Sequence, residues 1–364
     1  MTGFLENPGR FIAERLRTER VFLAVLGLGF LVVGLTYQTP SVACWVGFVF
    51  AAYAAVANDS IQTIGTFIAS NKKAPWWFLW LFMGGIFLVT VGYSWVTYAG
   101  DVTYARLASK GFENAPTEFT YLQVAAPLIL MLLTRLKMPV STTFLLLSSF
   151  AASASSIGKV LGKSFTGYAL AFVIAFVVWM LLSKAFERWF KGEPHPGWRV
   201  FQWLTSGLLW SVWIMQDAAN IAVYLPRQLN GLEFAAFAGV IFIGLGILFR
   251  SGGEKIQEIV DEKASVVDVR MATMIDLVYA VILFYFKLHS QVPMSTTWVF
   301  IGLLGGRELA MAFRGASERG WVSALKLLVR DTGFAIIGLI VSMVLAASVN
   351  PAFMAEVKGF FGVQ

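Results

Sequence analysis

The sequence predicts an all-α polytopic membrane protein. It is expected to have two inverted-topology repeats of about five membrane segments each, an extra N-terminal helix, and broken helices at two Pro-x-Ser-Thr-Thr motifs. Three observations carry this expectation. The composition is 58% hydrophobic and 13% charged, with a mean hydropathy of +0.71, whereas soluble domains average about 45–50% apolar and about 25% charged. Several apolar stretches reach the roughly 20 residues that a helix needs to cross about 30 Å of hydrocarbon, and none alternates with the period of two of a membrane barrel. Finally, one polar constellation occurs twice in the same order. Asn58-Asp59-Ser60-Ile61-Gln62 precedes Pro139-Val140-Ser141-Thr142-Thr143, and Gln216-Asp217-Ala218-Ala219-Asn220 precedes Pro293-Met294-Ser295-Thr296-Thr297. Carboxylates, amides and hydroxyls are costly to bury inside apolar helices, so their duplication implies two repeats around one central site.

Eleven apolar segments are expected, at 21–37, 41–70, 75–98, 120–135, 139–158, 165–186, 200–225, 232–250, 271–289, 293–314 and 324–349. The first follows a basic stretch and, with Ser41-Val42-Ala43, resembles a secretion signal; the next span begins at once, which favours an uncleaved anchor. The chain divides into a basic segment with the first helix (1–40), a first repeat (41–199), a second, inverted repeat (200–350) and a tail (351–364). Polar loops are expected at 99–119, 187–199 and 251–270, the last a solvated loop or a short amphipathic helix.

Lys and Arg in the loops set the orientation. With a cytoplasmic N-terminus and eleven crossings, 21 of the 28 basic residues fall inside and 7 outside, the latter including Arg106, Lys110, Lys159 and Lys163. An N-in, C-out chain follows. If 139–158 and 293–314 only dipped into the bilayer and returned, the bias would largely vanish, so each is expected to make a net crossing. Five crossings per repeat turn the second half upside down relative to the first, which lets the polar motifs meet near the bilayer midplane.

Other classes find little support. The net charge of +7 lies mainly in loops, where it sets topology, and implies no nucleic-acid partner. Cys44 is single and sits in an apolar run. His195 and His289 form no metal-binding cluster, and no nucleotide motif occurs. Trp76-Trp77 and Trp198 lie at segment ends, as in an aromatic belt.

The motifs carry the chemistry. Pro interrupts helical hydrogen bonding, and a Ser or Thr just after it is a natural N-cap. A helix starting there presents free N–H groups, hydroxyls and a positive dipole end, which together favour an anion. A Pro-kinked helix with back-bonded hydroxyls is the plain structural alternative, and the duplication argues against it. In the acidic runs the amides recur at helical spacing on one face, with an Asp beside them. Such an Asp can ligate sodium, a hard cation that takes oxygen ligands, or accept a hydrogen bond from a protonated phosphate oxygen, which sulfate lacks. Asp276 is a candidate to assist a cation, and the adjacent pairs Arg307-Glu308 and Arg330-Asp331 read as interfacial anchors.

These residues resemble the inorganic phosphate transporter family, the sodium- or proton-coupled phosphate permeases. That family's signature is a Gly-Ala-Asn-Asp-Val-Ala-Asn run in each half, each followed by Pro-Val-Ser-Thr-Thr. The resemblance covers about 50–345 and rests on four short matches in order. It implies that Asn58, Asp59, Ser141, Thr142 and Thr143, with Asp217, Asn220, Ser295, Thr296 and Thr297, form phosphate and cation sites between inverted repeats, and that protomers pair as homodimers. The departures mark a divergent member. Gln62 and Gln216 stand where the family usually has Asn, Phe144 and Trp298 where it often has His, and Val56-Ala57 and Ile214-Met215 where a glycine is usual.

The expected function is a secondary active transporter, not an enzyme. It would import inorganic phosphate by symport with a cation through alternating access, in a bacterial cytoplasmic (inner) membrane. The expected substrate-binding set is Asn58, Asp59, Gln62, Ser141, Thr142, Thr143, Gln216, Asp217, Asn220, Ser295, Thr296 and Thr297. Asn58, Asp59, Asp217 and Asn220 are the candidate sodium ligands. No cofactor is expected beyond the coupling ion, sodium, with a proton as the alternative. Another oxyanion such as sulfate, or a passive anion channel, is the competing reading. An intramembrane phosphatase or lipid transferase would need a base near a nucleophile, and no His lies near either triplet.

Overall fold

The computed structural model describes residues 19–59, 61–109, 111–135, 140–151, 153–251, 268–316, 320–350, 353–355 and 358, apart from the side chains of Asn58, Asp59, Ile61 and Glu187. Most of the loop expected at 251–270 lies outside this set, as do Ser60 and Pro139.

Among the described residues the chain is all helix and turn. The first half comprises α1 (Arg20–Thr36), α2 (Pro40–Ala54), a π-helical turn (Ala55–Asp59), α3 (Ile61–Ser70), α4 (Trp76–Thr97) and α5 (Tyr121–Arg135). It continues through a π-helical turn (Thr143–Leu147) and a 3-10 turn (Ser148–Phe150) into α6 (Ala154–Trp189). The second half comprises α7 (Gly197–Ala222), α8 (Gly231–Arg250), α9 (Val269–His289), α10 (Thr296–Arg314) and α11 (Trp321–Val349). Local sequence sets many of the ends. Pro40 opens α2, where its missing N–H loses nothing. Asn230 and Glu233 form a reciprocal capping box on α8, and Asp268 caps α9. Gly315, at φ 69°, stops α10 in the left-handed conformation.

Six helices are long and apolar enough to cross a membrane: Pro40–Ala57, Trp76–Thr97, Ala154–Phe186, Gly231–Arg250, Val269–His289 and Trp321–Val349. Arg20–Thr36 and Tyr121–Arg135 are shorter apolar helices. With α7 and α10, which carry the polar motifs of the second half, they make an all-α polytopic membrane protein.

The expected boundary between 139–158 and 165–186 is wrong. Residues 154–189 form one helix of 36 residues, ~54 Å long at 1.5 Å per residue. The helix starts at Ser153, whose side chain accepts from the Ser156 N–H. Lys159 and Lys163 therefore sit on α6 rather than in a loop. The first Ser-Thr-Thr opens only short turns, 143–150, before α6 begins at Ala154. In the second half the motif opens a long helix, α10, after the linker 290–295.

The turns that follow the first triplet end beside the start of α5. The Gln123 amide donates to the Ser149 carbonyl at 2.9 Å, and Phe119 meets Phe150 edge-on at 6.2 Å.

Packing pairs recur when the halves are exchanged. α2 packs on α5 as α7 packs on α9, and α6 packs on α10 as α11 packs on the 143–150 turns. The counterparts α4 and α8 run antiparallel. Trp80 donates to the Phe242 carbonyl, Trp95 to that of Leu229, and Phe87 meets Phe237 in between. Counterparts α3 and α7 are antiparallel too, through Asn71 with Gln202 and Thr66 with Asp276, whose other oxygen holds Ser206.

Two groups of helices result. One holds the acidic runs (α2, α3, α4, α5, α7, α8, α9), and the other holds the triplets (143–150, α6, α10, α11). The closest crossing within the second group depends on glycine. A Cβ on Gly302 would lie 2.3 Å from the Tyr168 carbonyl oxygen, and one on Gly306 2.2 Å from that of Phe172. This small-xxx-small spacing lets the backbones of α10 and α6 touch.

Candidate functional site

Each triplet begins a helical turn, and its Ser closes that turn. The Ser141 hydroxyl accepts from the Phe144 N–H and the Ser295 hydroxyl from the Trp298 N–H, both at 3.3 Å. The Ser141 and Ser295 carbonyls accept from Leu145 and Val299. All six triplet residues are buried. The tips face one another: Phe144 and Trp298, the residues just after the triplets, meet edge-to-face at 6.1 Å. The Thr143 hydroxyl donates to the Met294 carbonyl at 3.1 Å.

The acidic runs reach across to the opposite triplets. The Gln62 amide donates to the Thr297 hydroxyl at 3.1 Å, and the Asn220 amide donates to the Thr143 hydroxyl at 3.1 Å. Each amide sits three residues after its Asp, and each acceptor is the third member of the other half's triplet. Both bonds cross between the two helix groups. Asn220 also donates to Asp217 Oδ1 at 2.5 Å, while the Gln216 amide is tied to the Leu283 carbonyl on α9 at 3.0 Å.

Gln62, Gln216, Asp217 and Asn220 are all buried. The oxygens Gln62 Oε1, Gln216 Oε1 and Asn220 Oδ1 accept from no protein donor. Asn58 and Asp59 end the π-helical turn Ala55–Asp59; their side chains lie outside the described residues. The Gln216–Asn220 run lies instead within the continuous helix α7. π-turns interrupt the regular ladder and often mark functional segments.

The cluster gathers hydroxyl and N–H donors, a carboxylate and neutral amide oxygens in one buried place. Such a set suits an oxyanion together with a hard cation. Among the described residues no group of three His, Cys, Asp or Glu could hold a metal.

Asp276 stands apart from these bonds. Its oxygens take the Thr66 hydroxyl at 2.7 Å and the Ser206 hydroxyl at 2.5 Å, and the chain of bonds continues through Gln202 to Asn71 and Trp203. Arg307 and Glu308 are not interfacial anchors. Both are buried, and they pair at 3.0 Å.

One neighbour of the site had no signal in the sequence. Arg106, in the loop between α4 and α5 as expected, is 0% exposed. Its Nε donates to the Met215 carbonyl at 2.8 Å, next to Gln216-Asp217. Its Nη1 donates to the carbonyls of Ser290 and Val292 at 3.2 and 3.3 Å, just before Pro293. Burial pushes the guanidinium down to about 10, and the Asp217 carboxylate offsets part of that fall.

A solved structure described as "The sodium-dependent phosphate transporter" shares this architecture, with a TM-score of 0.60 over 86% of this chain and 98% of that one, at 18% identity. The likeness is one of fold. No protein-family model matches the sequence, and no curated protein does.

Proposed function

We propose that this protein is a secondary active transporter that imports inorganic phosphate by symport with sodium. The observation that carries the reading is the reciprocal pair of bonds, Gln62 to Thr297 and Asn220 to Thr143. They bring both acidic runs and both triplets to one buried locus between two helix groups. The fold shared with a chain described as a sodium-dependent phosphate transporter agrees with it.

In this reading the triplet hydroxyls and the N–H groups of the turns they open bind phosphate oxygens. Charge-assisted bonds of this kind are worth about 1.5–3 kcal/mol each. Asp217, and Asp59 in the matching position, either accept the proton of a protonated phosphate or hold sodium. Buried amide oxygens without a protein donor favour a hard cation beside them, so sodium is preferred over a proton. Transport follows from relative motion of the two helix groups around the site. The halves act as inverted repeats at 41–199 and 200–350, in agreement with the antiparallel runs of α4 and α8. The chain sits N-in, C-out in a bacterial inner membrane and works as a homodimer.

Labelled phosphate uptake into proteoliposomes tests the reading. Uptake should need an inward sodium gradient and resist sulfate. Uptake that persists with choline but follows an acid-outside gradient would replace sodium by protons. Efficient competition by sulfate would replace phosphate, and flux without any gradient dependence would indicate a channel.

A further inference from the structure

Beside the polar cluster lies a second concentration of positive charge that the proposed mechanism does not use. The Lys163 ammonium on α6 donates to the Ser290 carbonyl at 3.2 Å and also to the Val292 carbonyl. These are the two oxygens that Arg106 Nη1 holds from the loop between α4 and α5. Two cations from distant parts of the chain therefore converge on one pair of carbonyls. Lys287 stands close by, over the Tyr104 ring at 5.3 Å.

Among the described residues no acid forms an ion pair with Arg106 or Lys163; Asp217 acts on Arg106 only through its field. Carbonyl dipoles solvate a cation but do not cancel its charge, so the like charges repel across a poorly solvated space. The fully buried guanidinium keeps Nη2, with both of its N–H groups, free of any partner. A buried guanidinium with unused donors, and an ammonium beside it, are complementary to a tetrahedral oxyanion. Lys163, Ser290 and Val292 are only partly buried, which gives such an anion a way in.

We propose that Arg106 and Lys163, converging on the carbonyls of Ser290 and Val292, form a second oxyanion site next to the Ser-Thr-Thr cluster. Its occupant is a phosphate-type oxyanion, either free inorganic phosphate or the phosphodiester of a lipid headgroup. The site rests on its own residues. A role as the waiting place for phosphate before the triplets rests on the transport reading. Position supports that role, because Val292 is the residue before Pro293 and Met215 the residue before Gln216, so Arg106 touches the flank of both second-half motifs.

Equilibrium binding of labelled phosphate to delipidated, detergent-solubilised full-length protein tests this. Wild type should bind two phosphates. Lys163→Gln should bind one, with the second weakened at least tenfold, and Lys163→Arg should restore it. The double variant Thr142→Ala/Thr296→Ala should lose the other phosphate and keep the Lys163 one. Titration with phosphatidylglycerol then separates the sources: displacement of the Lys163-dependent phosphate alone assigns the site to a headgroup, and no displacement assigns it to free phosphate. Two phosphates in Lys163→Gln, or a single phosphate in wild type that Lys163→Gln leaves in place, overturns the proposal; a single phosphate that Lys163→Gln abolishes keeps this site and removes the one at the triplets. If wild type binds no phosphate, the transport reading falls and the same titration is run with sulfate. A Lys163-dependent sulfate would keep this site, and none would remove it.

Discussion

Removing the Thr297 hydroxyl separates the two roles of the crossing bonds. Thr297→Val keeps the shape but leaves the Gln62 amide, buried and bonded only to Thr297, without its acceptor. A stranded buried donor costs about 1–3 kcal/mol, whereas replacing both partners by apolar groups is close to neutral. With about 2.1 cal/mol/K of unfolding entropy per residue, that cost lowers the apparent melting midpoint by about 1–4 °C. Gln62→Leu/Thr297→Val should recover most of the loss. Phosphate binding should behave differently, falling on the order of tenfold in the single variant and staying low in the double, because the hydroxyl is absent from both. Thr143→Val removes two bonds, the one from Asn220 and the one to the buried Met294 carbonyl. Asn220 keeps its bond to Asp217, but the stranded carbonyl makes the cost about 1–3 kcal/mol, comparable to Thr297→Val. Thermal unfolding in detergent and phosphate binding on the same samples give both readouts. A double variant no more stable than Thr297→Val, or one that regains binding with its stability, refutes the reasoning.

Further outcomes follow from the same geometry. Thr142→Ala and Thr296→Ala should each weaken phosphate binding about tenfold or more; wild-type affinity in both would move the site elsewhere. Gly306→Val should push α10 from α6, since even a Cβ lies 2.2 Å from the Phe172 carbonyl. Overpacking of about 1–3 kcal/mol or more would appear as a lower melting midpoint, and an unchanged midpoint contradicts the close crossing. Asp217→Asn tests the carboxylate. If it holds sodium, the sodium concentration for half-maximal uptake should rise with anion preference unchanged; if it accepts the phosphate proton, preference over sulfate should fall instead. For topology, in a Cys44→Ser background, Glu193→Cys should label only from inside and Gln228→Cys only from outside; both positions are exposed. Labelling of both from one side would end the N-in, C-out assignment.

The class of fold was legible because it depends on bulk composition and segment length, and α1, α4, α5, α8, α9 and α11 fall close to the apolar runs, whereas the run expected at 41–70 breaks into α2, a π-turn and α3. The meeting of the motifs was legible because duplicated polar groups in apolar helices have few places to go. Three features had no local signal. Residues 159–164 read as a break between segments, yet α6 runs through them, with the Lys163 ammonium satisfied by carbonyls of another segment. Arg106 read only as one of the outer-loop basic residues. Its burial depends on a loop that turns through positive φ at Ala99, Gly100, Tyr104 and Ala105, and only the glycine is a residue type that announces such a turn. The π-turns at 55–59 and 143–147 also have no composition cue, and the first has no counterpart in α7, although its motif mirrors Gln216–Asn220.

The reciprocal bonds also say how binding could be coupled to motion. Gln62 and Asn220 belong to one helix group, Thr297 and Thr143 to the other. The two groups are joined by direct amide–hydroxyl bonds at the place where substrate is proposed to bind. A phosphate that takes those hydroxyls must replace the bonds between the groups with bonds through itself, and a sodium held by the amide oxygens orients the same two amides. A ligand shifts a conformational equilibrium only by its difference in affinity for the two states. Here that difference has a physical source, because the atoms that bind the ligand are the atoms that hold the moving parts together. Under the proposed symport, coupling of phosphate to sodium would need no distant relay: both would act on Gln62 and Asn220, one through the hydroxyl partner and one through the amide oxygen.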